Sequence, residues 1–333
     1  MKILVTGITG QVGWELVRSL QPLGEIIALD NRSLDLSGAA TAPDRLAARL
    51  QAIAPQIIVN PAAYTAVDKA ETETELARAV NAAAPDVMAR YCAQASALLV
   101  HYSTDYVFDG TREGAYREDD PTAPANAYGL TKLEGEQAIQ ASGCAHLILR
   151  TSWVYSLRGA NFLRTMVRLA SMRDHLRIVS DQYGVPTPAS FLADTTAQLI
   201  ARRQSAPSLK TWSGILNLTP AGRTNWYDYA GLGLSILHQA TKSGSSQPPA
   251  SGSPPASGTV PAGAAQAGEQ PTMPRPEWQV ARMPALEPIA ASEFPTPARR
   301  PANSSLDLSR IEDVWGLKMP PWDALLKSVL RDA

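Results

Sequence analysis

Residues 1–13 read Met1-Lys2-Ile3-Leu4-Val5-Thr6-Gly7-Ile8-Thr9-Gly10-Gln11-Val12-Gly13, a short apolar run that enters a glycine turn at once. The run is too short for the apolar core of a signal peptide. It reads as a strand, then Gly-x-x-Gly-x-x-Gly, then a helix. Each glycine has a separate physical use. Gly7 reaches backbone angles that a Cβ forbids. Gly10 lets a pyrophosphate approach the backbone, and Gly13 lets the helix pack closely on the strand. The first turn of such a helix offers unpaired N–H groups and partial positive charge to phosphate. A strand–turn–helix of small residues also occurs as plain architecture, so the motif gains its meaning from the rest of the chain.

Working outward, candidate strands fall at 3–6, 26–30, 56–60, 97–103, 147–151, 176–179 and 215–218, and helical stretches at 12–20, 43–53, 74–94 and 128–141. Unbroken apolar runs such as Ile57-Ile58-Val59 suit strands buried on both faces of a parallel sheet. The alternation predicts an α/β fold, a doubly wound parallel sheet of the Rossmann type. After Trp153 the pattern loosens, which predicts a smaller α+β substrate domain. The expected division is 1–155, with roughly 186–220, for the dinucleotide domain, and 156–185 with 221–333 for the substrate domain. Within the latter, residues 243–276 are rich in Ser, Gly, Ala and Pro and read as a flexible surface insertion. A chain of 333 residues is long enough for two such domains and a large core.

Charge excludes several functions. The 30 basic and 31 acidic residues give a net charge of -1 with no basic run, so neither nucleic acid nor another polyanion is an expected partner. No apolar stretch approaches the ~18 residues of a membrane span, and a cytoplasmic protein is expected. Cys92 and Cys144 form no motif and read as buried thiols of a reducing compartment. His101, His146, His175 and His238 never fall at metal-ligand spacing; each reads as structural or solvated.

Two further patterns carry chemistry. Asp30 ends the second candidate strand, where an acid commonly binds the adenosine ribose and repels a 2′-phosphate; Arg32 lies two positions on, so NADH and NADPH both stay open. Tyr128-Gly129-Leu130-Thr131-Lys132 puts a phenol and an amine on one helix face. A nearby ammonium lowers the phenol's ordinary value of about 10, so the pair is able to hand a proton to a carbonyl oxygen while hydride reaches its carbon. Thr104, at the end of the fourth strand, is placed to hydrogen-bond that oxygen. Small residues in Asn60-Pro61-Ala62-Ala63-Tyr64-Thr65 leave room for a cofactor ribose or nicotinamide.

Together with Gln11-Val12-Gly13-Trp14-Glu15-Leu16, Thr65-Ala66-Val67-Asp68-Lys69-Ala70-Glu71, Ser103-Thr104-Asp105-Tyr106-Val107-Phe108, Arg150-Thr151-Ser152-Trp153-Val154-Tyr155, Asp181-Gln182-Tyr183-Gly184-Val185-Pro186-Thr187 and the stretch 295–304, these motifs resemble the dTDP-4-dehydrorhamnose reductase family of extended short-chain dehydrogenases. The resemblance covers nearly the whole chain apart from 243–276. It implies NADPH- or NADH-dependent reduction of the C4 ketone of dTDP-4-dehydro-L-rhamnose to dTDP-L-rhamnose. It implies Thr104, Tyr128 and Lys132 as the catalytic set, and Asp105 and Trp153, with Thr104, at the sugar. Gly7, Gly10, Gln11, Val12, Gly13, Asp30, Ala62, Ala63, Tyr64, Thr65, Tyr102, Tyr128 and Lys132 would line the cofactor, with Asp35 and Leu36 beside the adenine. Some members bridge two subunits through Mg²⁺ held by glutamates. Here Glu15 is present but Ser190 stands where such members carry glutamate, so no metal is expected, and a monomer or weak homodimer is. Pro61 stands where the family usually has alanine, a change without a physical account. The alternatives are another nucleotide-sugar reductase or epimerase on the same scaffold, and a non-catalytic regulatory subunit like that of methionine adenosyltransferase, whose mark is loss of the catalytic residues.

Overall fold

The computed structural model describes residues 1–205, 212–244 and 278–331. Strands with few polar residues occupy the middle of its sheet: β1 (Lys2–Val5), β3 (Ile57–Asn60), β4 (Leu98–Thr104) and β5 (Ala145–Thr151) are buried almost end to end. β2 (Glu25–Ala28) and β10 (Gly214–Asn217) form the edges, and the order is β10-β5-β4-β3-β1-β2 with every neighbouring pair parallel.

Alternate residues of each strand feed opposite faces. Ile3 and Val5 pack with Val100, Leu147 and Leu149 under α1 (Gln11–Ser19) and α8 (Ala189–Ser205), through Leu16, Leu20, Leu192 and Leu199. Leu4 joins Ile58, Leu99 and Ile148 under α2 (Pro43–Ile53), α5 (Ala84–Ala95) and α6 (Ala127–Ala141), through Leu50, Met88 and Ile139. The chain runs outward from β1 to β2, then crosses back to β3. That reversal opens a crevice at the carboxyl ends of β1 and β3.

The helix expected over 74–94 is three pieces: α4 (Thr74–Arg78), after a short α3 (Val67–Ala70), then a π turn at Ala79–Ala83 and α5. Pro85 has no N–H to give the carbonyl of Asn81, and its ring crowds that turn, so the hydrogen-bond register widens there.

The second half holds more short strands than expected. β6 (Val154–Tyr155) pairs with β9 (Thr187–Pro188), β7 (His175–Val179) with Ala285–Ile289, and β8 (Tyr183–Gly184) with Thr224–Asn225. Around them lies a separate core. It includes Leu163 and Val167 of α7 (Phe162–Ala170), Tyr229 and Leu234 of the helix Trp226–Gly244, and Leu326 and Leu330 near the C-terminus. The helix Ser309–Trp315 returns to the main sheet, where Ile311 and Trp315 join the core beside α8. The segment read as an insertion, 243–276, lies outside the described residues beyond the helix end at Gly244.

Candidate active site

The glycine turn sits at the end of β1. Gly7 adopts φ +56°, and a Cβ there would lie 2.9 Å from Ala62 Cα; one on Gly13 would lie 2.3 Å from the Gly7 carbonyl oxygen. Neither position admits a side chain. Gly10 caps α1 without any side-chain hydrogen bond, which leaves the first N–H groups of that helix to a ligand.

From this turn a cavity of about 840 Å³ runs across the carboxyl ends of the strands. Of the residues expected at the cofactor, Gly7, Gly10, Gln11, Val12, Gly13, Asp35, Leu36, Ala62, Ala63, Thr65, Tyr102, Tyr128 and Lys132 line it, and so do Thr104, Asp105 and Trp153. Asp30 and Tyr64 are not among the lining residues. The Asp30 carboxylate accepts hydrogen bonds from Ser33 N and Oγ, and these hold it below the usual carboxylate range. Its neighbours Asn31 and Leu34 reach the cavity instead. The Tyr64 hydroxyl donates to Glu73 at 2.7 Å, and its N–H to Asn81.

The reacting groups meet where β4 ends and α6 begins. Asn126 caps α6, its side chain accepting from Gly129 N at 2.8 Å, which fixes Tyr128 in the first turn. Thr104 Oγ1 donates to Asp105 Oδ1 at 3.0 Å and lines the cavity with Tyr128. Burial raises Tyr128 above its ordinary value, and the neighbouring Thr104 pulls the other way. The sequence led us to expect Lys132 as the main influence on this phenol. Instead, Lys132 Nζ donates to the Tyr102 carbonyl at 2.6 Å and lies 3.0 Å from His101 Nε2. Burial therefore dominates and keeps the phenol protonated, the form a proton donor needs. Burial also pulls Lys132 down to about 7, opposed by Glu136, and pushes Asp105 up to about 6. Asp105 Oδ2 has no hydrogen-bond partner among the described residues. A carboxyl poised near its titration point with a free oxygen is suited to a polar ligand.

The far end of the cavity is aromatic. Trp153 adopts φ +45°, a conformation worth about 1–3 kcal/mol of strain. Its ring stacks on Trp226 with centroids 3.5 Å apart, and Phe162 closes on Trp226 at 4.5 Å. Thr187 N donates to the Trp153 carbonyl, and the indole packs against bare Gly184, where a Cβ would meet it at 2.5 Å. Sequence reasoning did not find Phe162 or Trp226, because nothing local marks an aromatic that reaches the cleft from another segment. Thr9 and Pro61 also line the cavity.

Within one chain, Glu15 of the pair considered for a metal shared between subunits has another partner. Glu15 pairs with Arg18, and Arg18 with Asp194, near the start of α8 where Ser190 lies. Among the described residues no three acids, cysteines or histidines gather as a metal site.

The chain matches the model of the family described as RmlD substrate binding domain over residues 1–333. It is 40% identical to the dTDP-4-dehydrorhamnose reductase of Escherichia coli K12, with 100% of this chain and 98% of that one aligned. To the reductase of that name from Burkholderia thailandensis it is 41% identical, with 100% and 99% aligned. Its fold is similar to crystal structures of dTDP-4-dehydrorhamnose reductases from Clostridium acetobutylicum (TM-score 0.79, 30% identity, 99% of both chains) and from Bacillus anthracis in complex with NADP (TM-score 0.78, 28% identity, 100% and 99%). With its glycine cradle, its Thr104–Tyr128–Lys132 cluster and this full-length likeness, the chain belongs to the dTDP-4-dehydrorhamnose reductase family.

Proposed function

We propose that this chain reduces the C4 ketone of dTDP-4-dehydro-L-rhamnose to dTDP-L-rhamnose with NADPH or NADH. One observation carries the reading: a single cavity joins the glycine cradle, the Thr104–Tyr128–Lys132 cluster and the aromatic wall. The relatives' names supply the substrate, and retention of all three cluster residues argues against a non-catalytic subunit.

The cradle suits a dinucleotide, because its glycines leave free the volume a pyrophosphate takes and α1 presents unpaired N–H groups. When bound there, the nicotinamide supplies hydride to C4. Tyr128 gives its proton to the C4 oxygen, and Thr104 holds that oxygen in line. Lys132 holds the nicotinamide ribose and supports the phenolate that forms. Asp105 binds a sugar hydroxyl through its free oxygen, and Trp153, backed by Trp226, packs on the apolar face of the deoxysugar. The separate core around Tyr229 supports the two-domain division of the sequence reading.

Among the described residues no helix is long and apolar enough to cross a membrane. Cys92 and Cys144 are free and buried, which supports a reducing, cytoplasmic setting.

Incubation with dTDP-4-dehydrorhamnose and NADPH should yield dTDP-rhamnose by NMR of the purified product. Turnover of a different nucleotide sugar, with none of this one, would replace the substrate assignment.

A further inference from the structure

We propose that His101, held by Asn60 and Thr6, is a positioning residue that sets the protonation state of Lys132. The proposal rests on the reading of Lys132 as the partner of Tyr128. Four side chains from four elements stand in line. Thr6, just past β1, donates from Oγ1 to Asn60 Oδ1 at 2.6 Å. Asn60 Nδ2 lies 3.0 Å from His101 Nδ1, and His101 Nε2 lies 3.0 Å from Lys132 Nζ. The register of β3 on β4 pairs Asn60 with His101 directly. None of the four side chains is more than 1% exposed, so their donors and acceptors must find partners inside the protein.

Two settings complete the three contacts between neighbours. In the first, Thr6 donates to Asn60 Oδ1, Asn60 Nδ2 donates to Nδ1, and Nε2–H donates to a neutral Lys132 amine. In the second, the Lys132 ammonium donates to Nε2, Nδ1–H donates to Asn60 Oδ1, and Asn60 Nδ2 donates to Thr6. Turning the Asn60 amide over and moving the imidazole proton interconverts them. The proton on Lys132 and the tautomer of His101 are therefore coupled. An imidazolium cannot face the Lys132 ammonium, because neither group would then offer an acceptor. Burial, and then the Lys132 charge, hold His101 well below its ordinary value.

The charged and titratable groups around the line are few. From α6 come Tyr128 and Glu136, and Glu136 is clamped by Arg150 of β5 at 2.6 Å. From the end of β4 comes Asp105, while the Tyr102 hydroxyl bonds Thr196 of α8 on the opposite face. Glu136 favours the ammonium, but its carboxylate is already shared with Arg150. His101 Nε2 is thus the side-chain acceptor in direct contact with Lys132, and with Tyr102 O it leaves the third N–H of the ammonium for the cavity.

Two readouts test this. In the full chain labelled with ¹⁵N-histidine, His101 should be the Nδ1–H tautomer at low pH. It should become Nε2–H as Lys132 loses its proton. One tautomer throughout, or an imidazolium at about pH 6, overturns the proposal. The second readout is kinetic. Loss of the ammonium removes support for the phenolate, so kcat falls as pH rises. His101→Phe removes the acceptor, and the alkaline limb should move about one unit or more toward low pH. His101→Gln keeps an acceptor near Nε2, and its limb should stay close to the parent's. An unmoved limb in His101→Phe, or equal shifts in both variants, contradicts the proposal. Should His101→Phe fail to fold, the tautomer series on the parent decides. A parent that turns over no nucleotide sugar sinks the proposed function, while the tautomer series still judges His101.

Discussion

The two ends of the cleft are made of different material. The cofactor end is backbone: three glycines within seven residues, one bare helix terminus and the small residues Ala62 and Ala63. The substrate end is side chain: Trp153, Phe162 and Trp226 arrive from separate segments, with Trp153 stacked on Trp226 and Phe162 tilted against it. The difference teaches where tolerance lies. A backbone cradle fails when an atom is added at Gly7 or Gly13, whereas an aromatic wall fails by degrees when a ring is removed. Between them, Tyr128 belongs to neither end.

The largest effect is expected at that junction. Tyr128→Phe keeps the ring and removes the proton donor, so kcat should fall by about 10² to 10⁴. Dinucleotide affinity, followed by fluorescence titration, should hardly change. A rate close to the parent's would place the donor elsewhere. Next comes the cradle. Gly13→Ala puts a Cβ 2.3 Å from the Gly7 carbonyl oxygen, an overpacking worth about 1–3 kcal/mol. NADPH binding should weaken by about fivefold to 150-fold, and an unchanged Kd would show that the turn yields. The wall should respond more softly. Trp226→Ala removes a ring contact worth about 0.5–1.5 kcal/mol, so the sugar KM should rise by about two- to twelvefold with the NADPH Kd unmoved. If both constants moved together, the two ends would be one unit. The smallest effect belongs to Asp30→Ala. Removing an acid near the adenosine ribose should favour NADPH, but Ser33 already engages this carboxylate. The ratio of NADPH to NADH efficiency should therefore shift by less than about tenfold.

The same contrast explains how much was legible in the sequence. The helix at 43–53 has the expected bounds, since its spacing and its proline are local. The parallel strands were legible because unbroken apolar runs need cover on both faces. The break at Pro85 was visible as a residue, but its outcome depended on how α6 packs: a Cβ on Gly135 would lie 2.2 Å from the Asn81 carbonyl oxygen. Phe162 and Trp226 left no mark, because stacking across segments has no period. His101 read as an ordinary histidine, and only the pairing of β3 with β4 brings it between Asn60 and Lys132. Thr104, Tyr128 and Lys132 stood out through motif and order, yet the direction in which the Lys132 amine points is a tertiary fact.

The most direct test monitors NADPH absorbance at 340 nm with the purified chain. Addition of dTDP-4-dehydrorhamnose should start oxidation that consumes one NADPH per sugar, while dTDP-rhamnose, which has no ketone, should start none. Absence of ketone-dependent oxidation with folded, NADPH-binding protein would contradict the claim that this cleft reduces the C4 ketone.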